Sequence, residues 1–91
     1  MIQITAIRLA GGTSHEHITD VLWRNEATST GLCPLRAVVD WLSVTSDNKA
    51  VVADGSRWVQ VAVVRPTDQP PFIRAQADGV WTDDLLALPR F

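Results

Sequence analysis

Four groups of residues in this chain have the types and spacing that chemistry requires. His15-Glu16-His17, with Asp20 close behind, is the metal candidate. In an extended segment His15 and His17 project from one side, where two imidazoles could share an ion. Two histidines without a third fixed ligand make a weak site, so a solvated loop with local hydrogen bonds competes with it. Asp83-Asp84 is a paired-carboxylate candidate, since neighbouring acids can split their pKa values and act as acid and base. The same two acids directly after Thr82 also suit a helix N-terminus, where the macrodipole favours negative charge. Cys33, the only cysteine, stands before Pro34 where a helix is expected to begin, a position that lowers a thiol pKa. A catalytic cysteine also needs a base and an oxyanion site, and no histidine is near it in sequence.

The fourth group is arginine and tryptophan. Seven of the eight basic residues are Arg. Arg74 and Arg90 with Asp78 and Asp83 could form an ion-pair network that anchors the C-terminal segment, or an Arg platform for phosphate. Arg24, Arg57, Arg65 and Arg74 with Trp58 could bind a nucleic acid, bases stacking on the indole. Trp23, Trp41, Trp58 and Trp81 could equally supply buried area in the core or at an interface. No Gly-rich phosphate loop, serine-nucleophile motif or metalloprotease motif is present.

Composition narrows the classes. The chain has 91 residues, 46% hydrophobic and 20% charged, with a formal net charge of −2. That is one domain of globular composition. Basic residues are scattered and outnumbered by acids, which disfavours a nonspecific duplex binder. One cysteine excludes an intrachain disulfide and a Cys-based zinc site, and fits a reducing compartment. Apolar runs of about four residues fall far below the roughly 20 that span a bilayer. Met1–Ala10 lacks the basic and apolar regions of a signal peptide. A cytoplasmic protein without membrane contact is expected, and no cofactor is implied.

The elements that would position these residues are short. Met1–Ala10 alternates and is rich in β-branched residues, a strand that ends at Gly11-Gly12. His17–Arg24 reads as a second strand, antiparallel to the first, and Asn25–Gly31 as a loop. Pro34–Val44 is the one convincing helix: Leu35, Val38, Val39 and Leu42 follow the i, i+3, i+4, i+7 spacing, Pro34 suits its first turn, and Cys33 would be its N-cap. Ala50–Ala53 and Arg57–Arg65 bracket Asp54-Gly55-Ser56, a hairpin signal. Val59, Val61 and Val63 face one way in the second arm; Trp58, Gln60, Ala62 and Val64 face the other. Pro71–Gln76 reads as a strand at a sheet edge after three prolines. Asp78-Gly79 turns it, and Thr82 caps one helical turn holding Leu85 and Leu86.

The segment Pro70–Phe91, PPFIRAQADGVWTDDLLALPRF, carries a resemblance. Phe72-Ile73-Arg74, Asp78-Gly79, Asp83-Asp84-Leu85 and Leu88-Pro89-Arg90-Phe91 are similar to the tail of a bacterial and phage family of small domains of unknown function. Upstream, GGTSHEHITDVLWRN and VVDWL resemble an actinobacterial-type branch of it. That branch commonly has Asn where Asp84 stands, and Ser or Thr where the helix here opens with Cys33-Pro34. The resemblance implies a compact α+β domain and no particular activity.

These readings converge on an α+β fold: a small, mostly antiparallel sheet of about five strands, with one main helix on one face. Trp81, Leu85, Leu88 and Phe91 are expected to close the open side of its core. The expected function is a non-enzymatic interaction module that binds a protein partner or itself, an inhibitor of a host defence system being one form. Arg74, Trp58, Trp81, Asp83 and Arg90 are its candidate binding residues. A specific nucleic-acid-binding module and a metal-dependent protein at His15 and His17 are the alternatives.

Overall fold

A computed structural model describes residues 1–25 and 29–91 of the chain. Its strands are β1 (Ile2–Leu9), β2 (Ile18–Asn25), β3 (Thr30–Pro34), β4 (Ala50–Asp54), β5 (Arg57–Val64), β6 (Phe72–Ala77) and β7 (Val80–Thr82). The helix α1 (Leu35–Val44) joins β3 to β4, and a 3₁₀ turn, His15–His17, precedes β2. One sheet holds all seven strands in the order β3-β2-β1-β4-β5-β6-β7. Neighbours are antiparallel except β1 and β4, which run parallel at Ile2↔Ala50 and Gln3↔Val51. The parallel pair follows from connectivity, because α1 is the crossover that returns the chain in the same direction.

The architecture is α+β with one α-helix, as expected, but the sheet is mixed and has seven strands where about five were expected. The two additions are β3 and β7. Thr30 and Gly31 were expected in a loop and belong to β3; Glu26, Ala27 and Thr28 of that loop lie outside the described residues. The Gly-containing segment reads as a turn by composition, yet Trp23 of β2 roofs Gly31 in the ladder. Cys33 is therefore a strand residue and not an N-cap. Pro34 takes the N-cap place, with extended backbone, and the helix begins at Leu35. β7 has only three residues, too few for an alternation to show. Its pairing makes β6 an interior strand, where an edge was expected.

Burial follows the pattern of each element. The α1 stripe turns Val38 and Val39 fully inward, with Leu35 and Leu42 partly buried beside them. The helix lies against β2, β3, β5 and β6. On the sheet, Ala50↔Val61↔Ala75, Val52↔Val59 and Val63↔Ile73 are cross-strand pairs of the core face. Ile4, Ile7, Ile18 and Val21 extend it across β1 and β2. The two Ala-Asp-Gly strings make different turns. Asp78 (φ 51°) and Gly79 (φ 79°) are both left-handed, as a type I′ hairpin demands. In the first hairpin the pair Asp54↔Arg57 closes a Gly55-Ser56 loop in which Gly55 (φ 61°) alone is left-handed, the type II′ pattern.

After β7 the chain makes one hydrogen-bonded turn and returns to the middle of the sheet. The Leu86 and Ala87 N–H groups donate to the Asp83 carbonyl at 3.0 and 3.2 Å. The Thr82 hydroxyl donates to the Asp84 carboxylate at 2.6 Å and opens this turn. Leu85 is fully buried. The Ile7 N–H then donates to the Pro89 carbonyl at 3.0 Å, and the Phe91 N–H to the Ile7 carbonyl at 3.2 Å. So β1 is shared: its first half pairs with β4, its second with the C-terminal segment. Leu85 and Leu88 close the core as expected. Trp81 does not; it stands on the opposite face of the sheet. Nor does Phe91 enter the core cluster: the Arg8 guanidinium lies over its ring, 4.6 Å from the centroid. Among the described residues no helix is long and apolar enough to cross a membrane.

Candidate functional site

The outer face of the sheet, opposite α1, gathers the most exposed aromatic surface. The ladder registers define one row across it: Arg24↔Gln3, Gln3↔Val51, Val51↔Gln60, Gln60↔Gln76 and Gln76↔Trp81. Trp58 occupies the next row, opposite Ala53. Because side chains alternate along a strand, Trp58 and Gln60 share this face. Trp58 is 60% exposed and Trp81 40%. They stand two strands apart, about 10 Å by strand spacing, and one row out of step, with Gln60 and Gln76 in the same row as Trp81. Both follow the two-residue hairpin turns, which hold them at the same end of the sheet.

A hollow of about 330 Å³ borders Trp58, lined also by Met1, Ile2, Gln3, Arg24, Asn25 and Val51. Arg24 is held there by its Nε–H donating to the Gln3 side-chain Oε1 at 2.7 Å. Two ion pairs lie near this end of the sheet, Arg57–Asp54 on the α1 side by alternation and Arg74–Asp83 beside the returning chain. Arg57 pairs with Asp54 at 3.3 Å, and Arg74 with Asp83 at 3.1 Å. The Arg57–Asp54 pair is exposed on both sides and Arg74 pairs with an exposed Asp83, so each contributes less than about 1 kcal/mol to the fold.

The other candidates are dispersed. The expected network of Arg74, Arg90, Asp78 and Asp83 reduces to the Arg74–Asp83 pair. Arg90 instead donates to the carbonyls of Leu86 and Leu88 at 2.8 and 2.6 Å, satisfying the last turn. Asp78 is a turn residue. Arg65 donates to the Ser43 hydroxyl at the end of α1, away from Trp58. Asp84 is held by Thr82, so the two adjacent carboxylates have separate partners. Burial and the nearby Asp20 push the Cys33 thiol pKa up, which favours the unreactive thiol.

The two histidines are set in a 3₁₀ turn and not in an extended segment. At three residues per turn, positions two apart point in different directions. The His17 Nδ1 accepts the Ser14 N–H at 3.2 Å, and its ring lies over Gly12, where an added Cβ would come within 2.4 Å of it. His15 is 7% exposed, and its Nε2 has no hydrogen-bond partner. Among the described residues no group of three or more His, Cys, Asp or Glu is arranged to hold a metal ion. What the sequence reading missed is this buried imidazole: a polar type in a polar string gives no sign of burial.

Burial, aided by Arg74, holds the His15 pKa below its usual value, with Asp83 and Glu16 pulling the other way. The neutral ring is thus favoured in the folded chain. Its contribution to stability is complete above the unfolded pKa of about 6.5 and declines as pH falls below it, by at most about 1.4 kcal/mol per pH unit. Thermal unfolding between pH 7.5 and 5 should show this loss in the native chain, and His15→Gln should flatten it. An unchanged profile in His15→Gln would assign the loss to other groups.

A family model described as protein of unknown function (DUF3892) matches residues 3–89. No curated protein matches the chain. No solved structure matches it.

Proposed function

We propose, for a chain that belongs to this family of unknown function, that it is a non-enzymatic interaction module whose outer sheet face binds a protein partner. The observation that carries this reading is the pair Trp58 and Trp81, both exposed on one face and held by hairpin turns. Tryptophan is prominent among the residues that dominate binding energy, and rigid presentation lowers the entropy lost on association. Gln60 and Gln76, beside the two rings on the same face, offer both donors and acceptors to a partner backbone. The nucleic-acid reading keeps one support, that Arg24 and Trp58 border the same hollow.

Ligands selected from a random displayed-peptide library, then titrated by fluorescence, test this. Trp58→Ala and Trp81→Ala should each weaken binding by roughly 10-fold or more, as truncation of a central anchor does. Trp58→Ala should cost little stability, and the more buried Trp81→Ala about 2–3 kcal/mol, so circular dichroism should show both folded at the titration temperature. Ligands indifferent to both substitutions would overturn the reading. Salt-dependent binding of single-stranded oligonucleotides, with no peptide ligand, would favour the alternative.

A further inference from the structure

β5 outruns its partner: the β4–β5 ladder ends at Ala50↔Val61, while β5 continues to Val64. Hydrogen-bonded pairs alternate from the hairpin pair Asp54↔Arg57, so Val59, Val61 and Val63 turn their backbone groups toward β4. Asn48, the residue that would continue the ladder opposite Val63, donates its N–H to the Thr45 carbonyl instead, at 3.1 Å. The Val63 N–H therefore faces an open seam between β5 and residues 45–49. A hollow of about 460 Å³ lies there. It touches four consecutive residues of β5, Gln60 to Val63, whose side chains alternate between the two faces, so it sits at the gap in the sheet itself. Lys49, Arg65 and Ser46 stand on its walls, and no acidic residue lines it.

We propose that this seam binds the dianionic phosphate of a small phosphorylated molecule. Among the described residues neither Lys49 nor Arg65 pairs with a carboxylate, although acids outnumber bases in the chain. Arg65 is placed at the hollow by donating to the Ser43 hydroxyl. The other use for two cations here would be the C-terminus of α1. That end already has neutral partners: the Asn48 Nδ2 donates to the Trp41 carbonyl at 2.7 Å, and the Asn48 N–H serves Thr45. Its dipole amounts to about half a negative charge against two positive ones. Asp47 lies close in sequence but does not line the hollow; its N–H donates to the Thr45 hydroxyl. Charge and shape favour phosphate over a carboxylate. Two cations match its two charges. The donors come from the β5 backbone, from the linker and from beyond the end of β5, which suits a tetrahedral group better than a flat one. The hollow exceeds a single phosphate, and Leu42 and Ala62 on its walls leave an apolar side for the body of the molecule.

Amide NMR on the full chain, titrated with sodium phosphate against sodium chloride of equal ionic strength, tests this at about pH 7.5, where phosphate is mostly a dianion. The Val63 amide proton should move downfield and saturate, with a Kd of about 1–10 mM, as a small ion held by few contacts gives. Lys49→Gln and Arg65→Gln, both at exposed positions, should each weaken binding by about 5-fold or more. Arg57→Gln, whose cation already pairs with Asp54, should leave the constant unchanged. Shifts that chloride reproduces, a Val63 amide that stays still while others move, or a Kd unchanged in Lys49→Gln would overturn the proposal. So would equal affinity for succinate, since the site would then read charge without phosphate geometry. Trp58→Ala should leave phosphate binding intact, so this site and the outer-face site succeed or fail separately.

Discussion

Leu85→Ala is expected to lower stability by about 3–4 kcal/mol, within the range for emptying a well-packed leucine site. Leu85 is fully buried and belongs to the main core cluster. It is also the one residue after β7 that enters that cluster completely; Leu86 and Leu88 lie at its margin. Truncation loses the transfer energy of the side chain and leaves a cavity under the returning turn. A domain of this length has in total roughly 5–13 kcal/mol of stability. The melting temperature should therefore fall by about 15–25 °C. The ladder bonds from Pro89 and Phe91 to Ile7 depend on the same turn, so the C-terminal segment should lose its protection from proteolysis together with the core. Asp83→Asn, which removes only the exposed partner of Arg74, serves as the contrast and should change stability by less than about 1 kcal/mol. A Leu85→Ala melting point within a few degrees of native would show that the segment covers the core without holding it closed.

That segment also shows where sequence reasoning reached and where it stopped. Leu85 and Leu88 were legible because apolar residues after a turn signal must be buried somewhere, and the open side of a single-helix sheet is where room remains. The alternation in β5 separated Val59, Val61 and Val63 from Trp58 and Gln60, since period-two patterning encodes the two faces directly, but which of the two looks inward came only with the packing of α1. The same logic failed at β7, where three residues carry no period and Trp81 was assigned to the core by its size alone. His15 was misread for a related reason: its burial comes from the 3₁₀ turn packing on β6, a long-range contact that no local pattern records. The bonding of β1 to both β4 and the C-terminal segment is likewise a property of the assembled sheet. The grouping of Trp58, Trp81 and the glutamine row on one face became visible only through strand order.

Gly31→Val sets two effects against each other, and the sign of the result decides between them. Valine has the higher strand propensity, worth up to about 1 kcal/mol, so at an open edge position it should stabilise β3. At Gly31, however, an added Cβ would lie 2.6 Å from Cζ2 of Trp23, its cross-strand partner, and 2.7 Å from Cε2. The indole is packed against the core and cannot swing aside without opening a gap over it. Overpacking of this kind costs about 1–3 kcal/mol, so after the propensity gain the net expectation is a loss of roughly 1 kcal/mol in urea unfolding. Trp23→Leu loses packing of its own, but it removes the ring that valine meets. The double substitution should therefore be less damaging than the sum of the two single ones, by about 1–2 kcal/mol of coupling between contacting residues. Stabilisation by Gly31→Val alone, or strict additivity in the cycle, would mean that the ring does not need the glycine, and that β3 is held to the sheet by its ladder bonds without the indole that covers it.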